Sequence, residues 1–141
     1  DMAIIEHGGA AGGVAAGLAT FCNAKLVDGI DHFLALTSFD EALQKAHLVI
    51  TGEGSIDAQT LEGKGPYGVA LRAKEKNIPV IGIAGKVPLT TGTGLQKYLD
   101  ALLSINNEPA EMSEAIKNTK DNLIRTAKVI GDLLSIQTYL K

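Results

Sequence analysis

The sequence predicts an α/β fold, a parallel sheet flanked by helices, and three observations carry that prediction. Apolar runs of buried-strand type stand at residues 48–51 (LVIT), 80–84 (VIGIA) and 101–105 (ALLSI). Each run gives way to glycine, proline or polar residues and then to a segment of helical period, and strand, loop, helix in succession implies right-handed crossovers. Residue usage agrees. Sixteen glycines, no tryptophan and only six Phe plus Tyr in 141 residues describe a core of Ala, Val, Ile and Leu with tight turns at strand ends.

Taken in order, residues 10–22 (AAGGVAAGLATFC) read as a closely packed helix entered through a glycine-rich turn. A short apolar run at 24–27 meets Asp28-Gly29, a turn signal. Ser38 and Glu41 have the spacing of a helix capping box, which predicts a helix running to about Ala46. Beyond the first strand the spacing predicts helices at 66–76, 95–98 and about 113–140. Pro66 suits a first helical position, where its missing N–H costs nothing. In the last helix Ile116, Leu123, Ala127, Ile130 and Leu134 form one apolar stripe, expected to face the sheet.

Composition narrows the function. Thirteen basic against sixteen acidic residues, a net charge of −3 and no Lys/Arg cluster argue against a nucleic-acid or membrane-surface partner. Cys22 is the single cysteine, which excludes an internal disulfide and any multi-cysteine zinc site; a cytoplasmic location is the default for such a chain. No signal peptide is visible. The uncharged stretch 8–24 has seventeen residues, five of them glycine, and a spanning helix wants about twenty strongly apolar ones. The start at Asp1 reads as a position inside a longer protein.

In open α/β sheets ligands bind beyond the carboxyl ends of the strands. Three loops are predicted there, at 52–65, 85–94 and 106–112, and the third reads as ordinary. The first runs TGEGSIDAQTLEGKGP. Its glycines, Gly52, Gly54, Gly63 and Gly65, let backbone N–H groups approach a ligand. Glu53 and Asp57 are oxygen ligands of the kind Mg²⁺ prefers when phosphate oxygens complete its shell. Lys64 stands just before a helix start, where backbone donors and the helix dipole already favour an anion. Acid, lysine and helix start suit a magnesium–phosphate site; a polar loop with capping acids and a solvated lysine would carry the same residues. Gly12 and Gly13 belong to a second glycine-rich segment, either an anion loop or a place of close helix packing. It lacks the P-loop pattern and the strand–GxGxxG–helix context. No GxSxG elbow is present either, because Asp57 follows where a second glycine would be needed, so a serine hydrolase is excluded. The three scattered histidines and Cys22 offer no metal-ligand spacing.

These strings together resemble the C-terminal part of the type I glycerate kinases. The matching signature is GAAGG at 9–13, then VITGEGxxDxQTxxGKxPxGVAxxA through residue 73, with His47 near the motif's leading Asp, then PVIxIAG at 79–85. The match runs in order over essentially the whole chain. Glu6-His7 replaces the usual Pro-Gly before the first loop, and Ser55 stands where many members carry Arg, so the resemblance moves that positive charge to Lys64 or Lys86. It implies transfer of the ATP γ-phosphoryl group to a hydroxyl of D-glycerate with Mg²⁺, the 2-hydroxyl being the family's association.

The resemblance further implies two α/β lobes. Residues 1–37 would be a glycine-rich segment of the smaller lobe, and 38–141 the C-terminal half of a flavodoxin-like parallel-sheet lobe. The missing N-terminal part of the same kinase would supply further strands, and an incomplete sheet favours self-association. The expected roles are Asp57 as general base or metal ligand, Glu53 as metal ligand, and Lys64 neutralising the transferring phosphate or the glycerate carboxylate. Gln59 and Thr60 would bond the substrate, and Gly12 and Gly13 would line the facing lobe. A non-catalytic nucleotide-binding module or a purely structural α/β module remains the alternative, and neither would need the Glu53–Asp57–Lys64 set.

Overall fold

The computed structural model describes residues 5–90 and 92–136. The chain divides into two compact units, Asp1–Gln44 and Lys45–Lys141.

The first unit is helical: α1 (Ala10–Cys22), α2 (Gly29–Leu36) and α3 (Phe39–Leu43). The glycine-rich turn falls within the span of α1. Ala11, Gly12 and Gly13 have φ of 52°, 67° and 95°, a left-handed run that two glycines make tolerable. Asp28 caps α2 by accepting the Asp31 N–H at 3.0 Å; the sequence shows the turn at Asp28-Gly29 but not the helix behind it. The capping box expected at Ser38 does not form. Ser38 sits left-handed at φ 51° with its N–H on the Ala35 carbonyl, so it closes α2 and lacks the extended backbone a side-chain cap needs. Accordingly α3 ends at Leu43 rather than near Ala46.

The second unit is a parallel three-stranded sheet in the order β1 (Val49–Ser55), β2 (Val80–Lys86), β3 (Ala101–Ser104). Val49 pairs with Val80 and Ser55 with Lys86; Ile81 pairs with Ala101 and Ala84 with Ser104. A 3₁₀ turn (Ala58–Glu62) and α4 (Gly65–Glu75) connect β1 to β2, and a second 3₁₀ turn (Leu95–Lys97) connects β2 to β3. Two helices, α5 (Met112–Lys117) and α6 (Thr119–Ile136), follow.

β1 is longer than its apolar run. The TGEG segment is strand, not turn, because pairing with β2 overrides the weak strand preference of glycine. A Cβ on Gly52 would lie 2.3 Å from the Ile83 carbonyl oxygen, so the close approach of the two strands itself requires a glycine there.

The core lies beside this sheet. α4 packs on β1 and β2 with Ala70 and Ala73 buried, and Ile56, Leu99 and Leu102 close over Gly82 between buried Val80 and Ala84. Tyr67 on α4 meets Tyr98 edge-on, with centroids 4.9 Å apart, an arrangement the ring quadrupoles favour. At the amino end of β2, Asp100 accepts the Val80 N–H and pairs with Lys74.

The single C-terminal helix of the sequence reading is two helices. The break comes at Asn118, where the Thr119 hydroxyl donates back to the Ala115 carbonyl at 3.1 Å, a local bond that competes with straight continuation. The rest of that reading, beyond Ile136, lies outside the described residues. The predicted stripe is also displaced. Only Ile130 of its members is buried, and the covered line of α6 is Thr119, Asn122, Thr126 and Ile130. Leu123, Leu134 and Ile116 are exposed, because polar groups on α6 are tied to the end of β3.

Candidate active site

The carboxyl ends of all three strands open onto one cleft of about 790 Å³ within the second unit. Its floor is the tip of β1 (Gly52, Glu53, Gly54, Ser55) together with Gly85 and Lys86 of β2. Its wall is apolar, made by Ile83, Ile105, Met112, Ile116 and Leu123.

Glu53 reaches the cleft because β1 continues through TGEG. Its Oε1 accepts a 3.1 Å hydrogen bond from the buried Thr60 hydroxyl. That hydroxyl in turn accepts the Asp57 N–H at 3.1 Å. Asp57 begins the first 3₁₀ turn, and its Oδ1 accepts the Gln59 N–H at 2.9 Å. A reciprocal cap therefore locks the turn, and it orients the Glu53 carboxylate through Thr60. Gly63 ends the turn at φ 94°, a left-handed position that glycine adopts without strain. Lys64 is the residue just outside α4, with Pro66 in that helix's first turn.

The structure thus gathers Gly52, Glu53, Gly54, Ser55 and Lys86 around the cleft. It places Asp57, Gln59, Thr60, Gly63, Lys64 and Gly65 in the connection immediately after them, with Thr60 as the bond between the two groups. Gly12 and Gly13 belong to the first unit, where nothing lies within 4 Å of an added Cβ. Neither Lys64 nor Lys86 makes an ion pair among the described residues, so both ammonium groups are available to an anionic ligand.

The third strand-end loop, ordinary on sequence grounds, proves to be part of the cleft. Asn106, Ala110 and Met112 line it, and the topological rule that ligands sit beyond strand ends is the one sequence signal that points there.

For a metal, the described residues hold no group of three or more His, Cys, Asp or Glu side chains. A zinc- or calcium-type cage is therefore not offered. One or two carboxylates with glycine backbone beside them fit Mg²⁺, which keeps several waters and takes the remainder of its shell from substrate phosphates. Among the described residues no helix is long and apolar enough to cross a membrane.

Acid and base side chains beside glycine backbone at parallel strand ends stand where open α/β sheets place their ligand sites. The chain belongs to the glycerate kinase family, whose model matches residues 1–135. Glycerate kinase of Bacillus cereus is 42% identical over 136 residues, covering 96% of this chain and 36% of the relative. Glycerate 2-kinase of Escherichia coli is 38% identical over the same length, again 96% and 36%. A crystal structure from Salmonella typhimurium LT2, provisionally named glycerate kinase 2, superposes with a TM-score of 0.67 at 42% identity, over 94% of this chain and 33% of that one. The chain spans about a third of the length of the relatives it matches.

Proposed function

We propose that this chain is the C-terminal part of a kinase that transfers the γ-phosphoryl group of ATP to a hydroxyl of D-glycerate, in the cytoplasm. The observation that carries the reading is the strand-end cleft, where Glu53 and Lys86 stand over glycine backbone in a chain matched by the glycerate kinase model along nearly its whole length. The relative named glycerate 2-kinase favours 2-phosphoglycerate as the product.

Phosphoryl transfer asks a protein mainly for positioning and charge neutralisation. The glycerate hydroxyl forms a new P–O bond to the γ-phosphorus as the bond to ADP breaks, and its proton must leave. Asp57 takes that proton in this reading, with Gln59 and Thr60 fixing its orientation. Lys64 and Lys86 compensate phosphate and carboxylate charge, the task that Ser55 cannot perform. Glu53, held by Thr60, would hold Mg²⁺, which when bound neutralises phosphate charge, and Asp57 would join it as a ligand in the alternative where it is not the base. Gly52, Gly54, Gly63 and Gly65 shape the floor and the turn, and Gly12 and Gly13 are the substrate-binding positions proposed in the first unit.

Two measurements test this. Thermal shift with ATP·Mg²⁺, with and without glycerate, separates a kinase (both bind) from a nucleotide-binding module (nucleotide alone) and from a structural module or an incomplete site (neither). In enzyme completed with the segment that relatives carry upstream, Asp57→Asn should lower kcat at least about a hundredfold, the lower range for a general base. Turnover near wild type would return Asp57 to a capping role. Lys64→Met should raise KM for ATP or glycerate and lower kcat together, since the transferring group is itself charged; unchanged kinetics would leave Lys64 a solvated lysine.

A further inference from the structure

Asn106 has more hydrogen-bond partners than a loop residue needs. Its Nδ2 donates to the Gly85 carbonyl at 2.8 Å, and its Oδ1 accepts from Asn122 Nδ2 of α6 at 3.1 Å. Its own N–H donates to the Ser104 hydroxyl at 3.1 Å. On the same helix, Arg125 Nη2 donates to the Ile105 carbonyl at 2.9 Å. The Ile105 N–H donates to the Ala84 carbonyl at 2.8 Å, so the strand-end segment after β3 is tied at two consecutive residues both to α6 and to β2.

Gly85 is the peptide that receives this bond, and Lys86 follows it into the cleft. On its other side Gly85 stands against β1, where an added Cβ would lie 3.0 Å from the Gly54 carbonyl oxygen. The Lys86 carbonyl accepts the Ile56 N–H at 3.0 Å. The tip of β2 is thus gripped by β1 on one edge and by the Asn106 carboxamide on the other. Ser104 cannot replace that grip. Its hydroxyl is 3.4 Å from the Gly85 carbonyl and 3.2 Å from that of Asn106, and one proton serves one acceptor well.

We propose that Asn106 is a positioning residue of this site: it fixes the Gly85–Lys86 tip of β2, and through it the Lys86 ammonium, for a phosphate-bearing ligand. The proposal rests on the kinase reading above and deepens it. It acts through Lys86, so the two residues should be coupled rather than additive.

The test is a double-mutant cycle on the enzyme completed with the segment that relatives carry upstream, with ATP·Mg²⁺ titrated by calorimetry into wild type, Asn106→Ala, Lys86→Met and the double variant. Each single change should weaken binding about tenfold, the scale of one lost hydrogen bond to a charged or positioned group. The double variant should be weakened no further than about twentyfold, well short of the product. Asn106→Ala within twofold of wild type, or a double variant at the full product, overturns the positioning role while leaving the kinase reading intact. Completed wild-type enzyme that binds no ATP·Mg²⁺ removes the kinase reading and this inference with it. Should circular dichroism show Asn106→Ala unfolded, Asn122→Ala takes its place in the cycle. It frees the Asn106 carboxamide without emptying its position, and the same coupled or additive outcomes decide.

Discussion

On one face of the sheet Val80 and Ala84 are closed off from water, with Ile56, Leu99 and Leu102 packed over the gap at Gly82. On the other, Ile50 is 50% exposed, and the apolar wall of the cleft includes Met112 and Ile116, 77% and 67% exposed. A parallel sheet is ordinarily covered on both faces. The difference separates two tasks: the closed face holds the fold, and the open one carries the apolar wall of the cleft, while Glu53 and Lys86, in register with Ala84 and Ser55, stand at the strand ends on the closed side. Apolar exposure of this kind marks a surface meant to be covered. This chain spans about a third of its relatives' length.

That contrast can be broken by substitution, and the largest effect should come from the closed face. Ile56, with no exposed surface, should cost about 2–5 kcal/mol as Ile56→Ala; a loss under about 1 kcal/mol in urea unfolding would mean that the closed face does not hold the fold. Next come two glycines of one strand. Gly52→Ala drives a Cβ to 2.3 Å from the Ile83 oxygen, whereas Gly54→Ala meets nothing within 4 Å. We expect about 1–3 kcal/mol lost for Gly52 and no more than about 0.5 for Gly54. Equal melting temperatures for the two variants would remove the close strand approach as the reason for Gly52.

A smaller effect is expected at the amino end of β2. The Lys74 ammonium, and after it the Val80 N–H, hold the Asp100 carboxyl below its ordinary 3.8. A lowered native pKa gives stability that is present above the usual carboxylate range and is lost as pH falls through and below about 3.8. Asp100 is about half exposed, so Asp100→Asn should cost only about 1 kcal/mol at pH 7. The gap to wild type should narrow progressively as pH falls below 3.8. A gap that persists unchanged in acid would show that its origin is not the ionised carboxylate. The smallest effect belongs to the open face, where Ile50→Ser should stay within about 0.5 kcal/mol of wild type and reduce self-association in sedimentation. A large loss of stability there would mean that this face is already covered in solution.

Much of this could be read from residue order. The three apolar runs gave the strands, Pro66 marked the start of α4, and the TGEG string drew attention to the tip of β1. What escaped the reading depends on distant partners. The extension of β1 through its glycines comes from pairing with β2 (Ser55 with Lys86), which local propensity cannot report. The stripe on α6 pointed the wrong way because Asn122 and Arg125 are held by residues 16 and 20 positions away. Asn106 carried no local pattern at all; its place follows from a bond to Gly85, 21 positions earlier. Ser38 failed as a cap because a single left-handed backbone angle took its hydroxyl out of position.

The parallel register also has a consequence during synthesis. Val49 pairs with Val80, 31 residues further along the chain. At about 5–20 residues per second, β1 is made roughly 2–6 seconds before its partner exists. In that interval a nascent strand ending in TGEGS has unsatisfied backbone on both edges. Its glycines and its charged Glu53 make it a poor template for pairing with a neighbouring chain, since weak strand propensity and charge both disfavour edge-to-edge association. A strand tip of this composition is therefore poorly suited to pairing with a neighbouring chain before β2 is available.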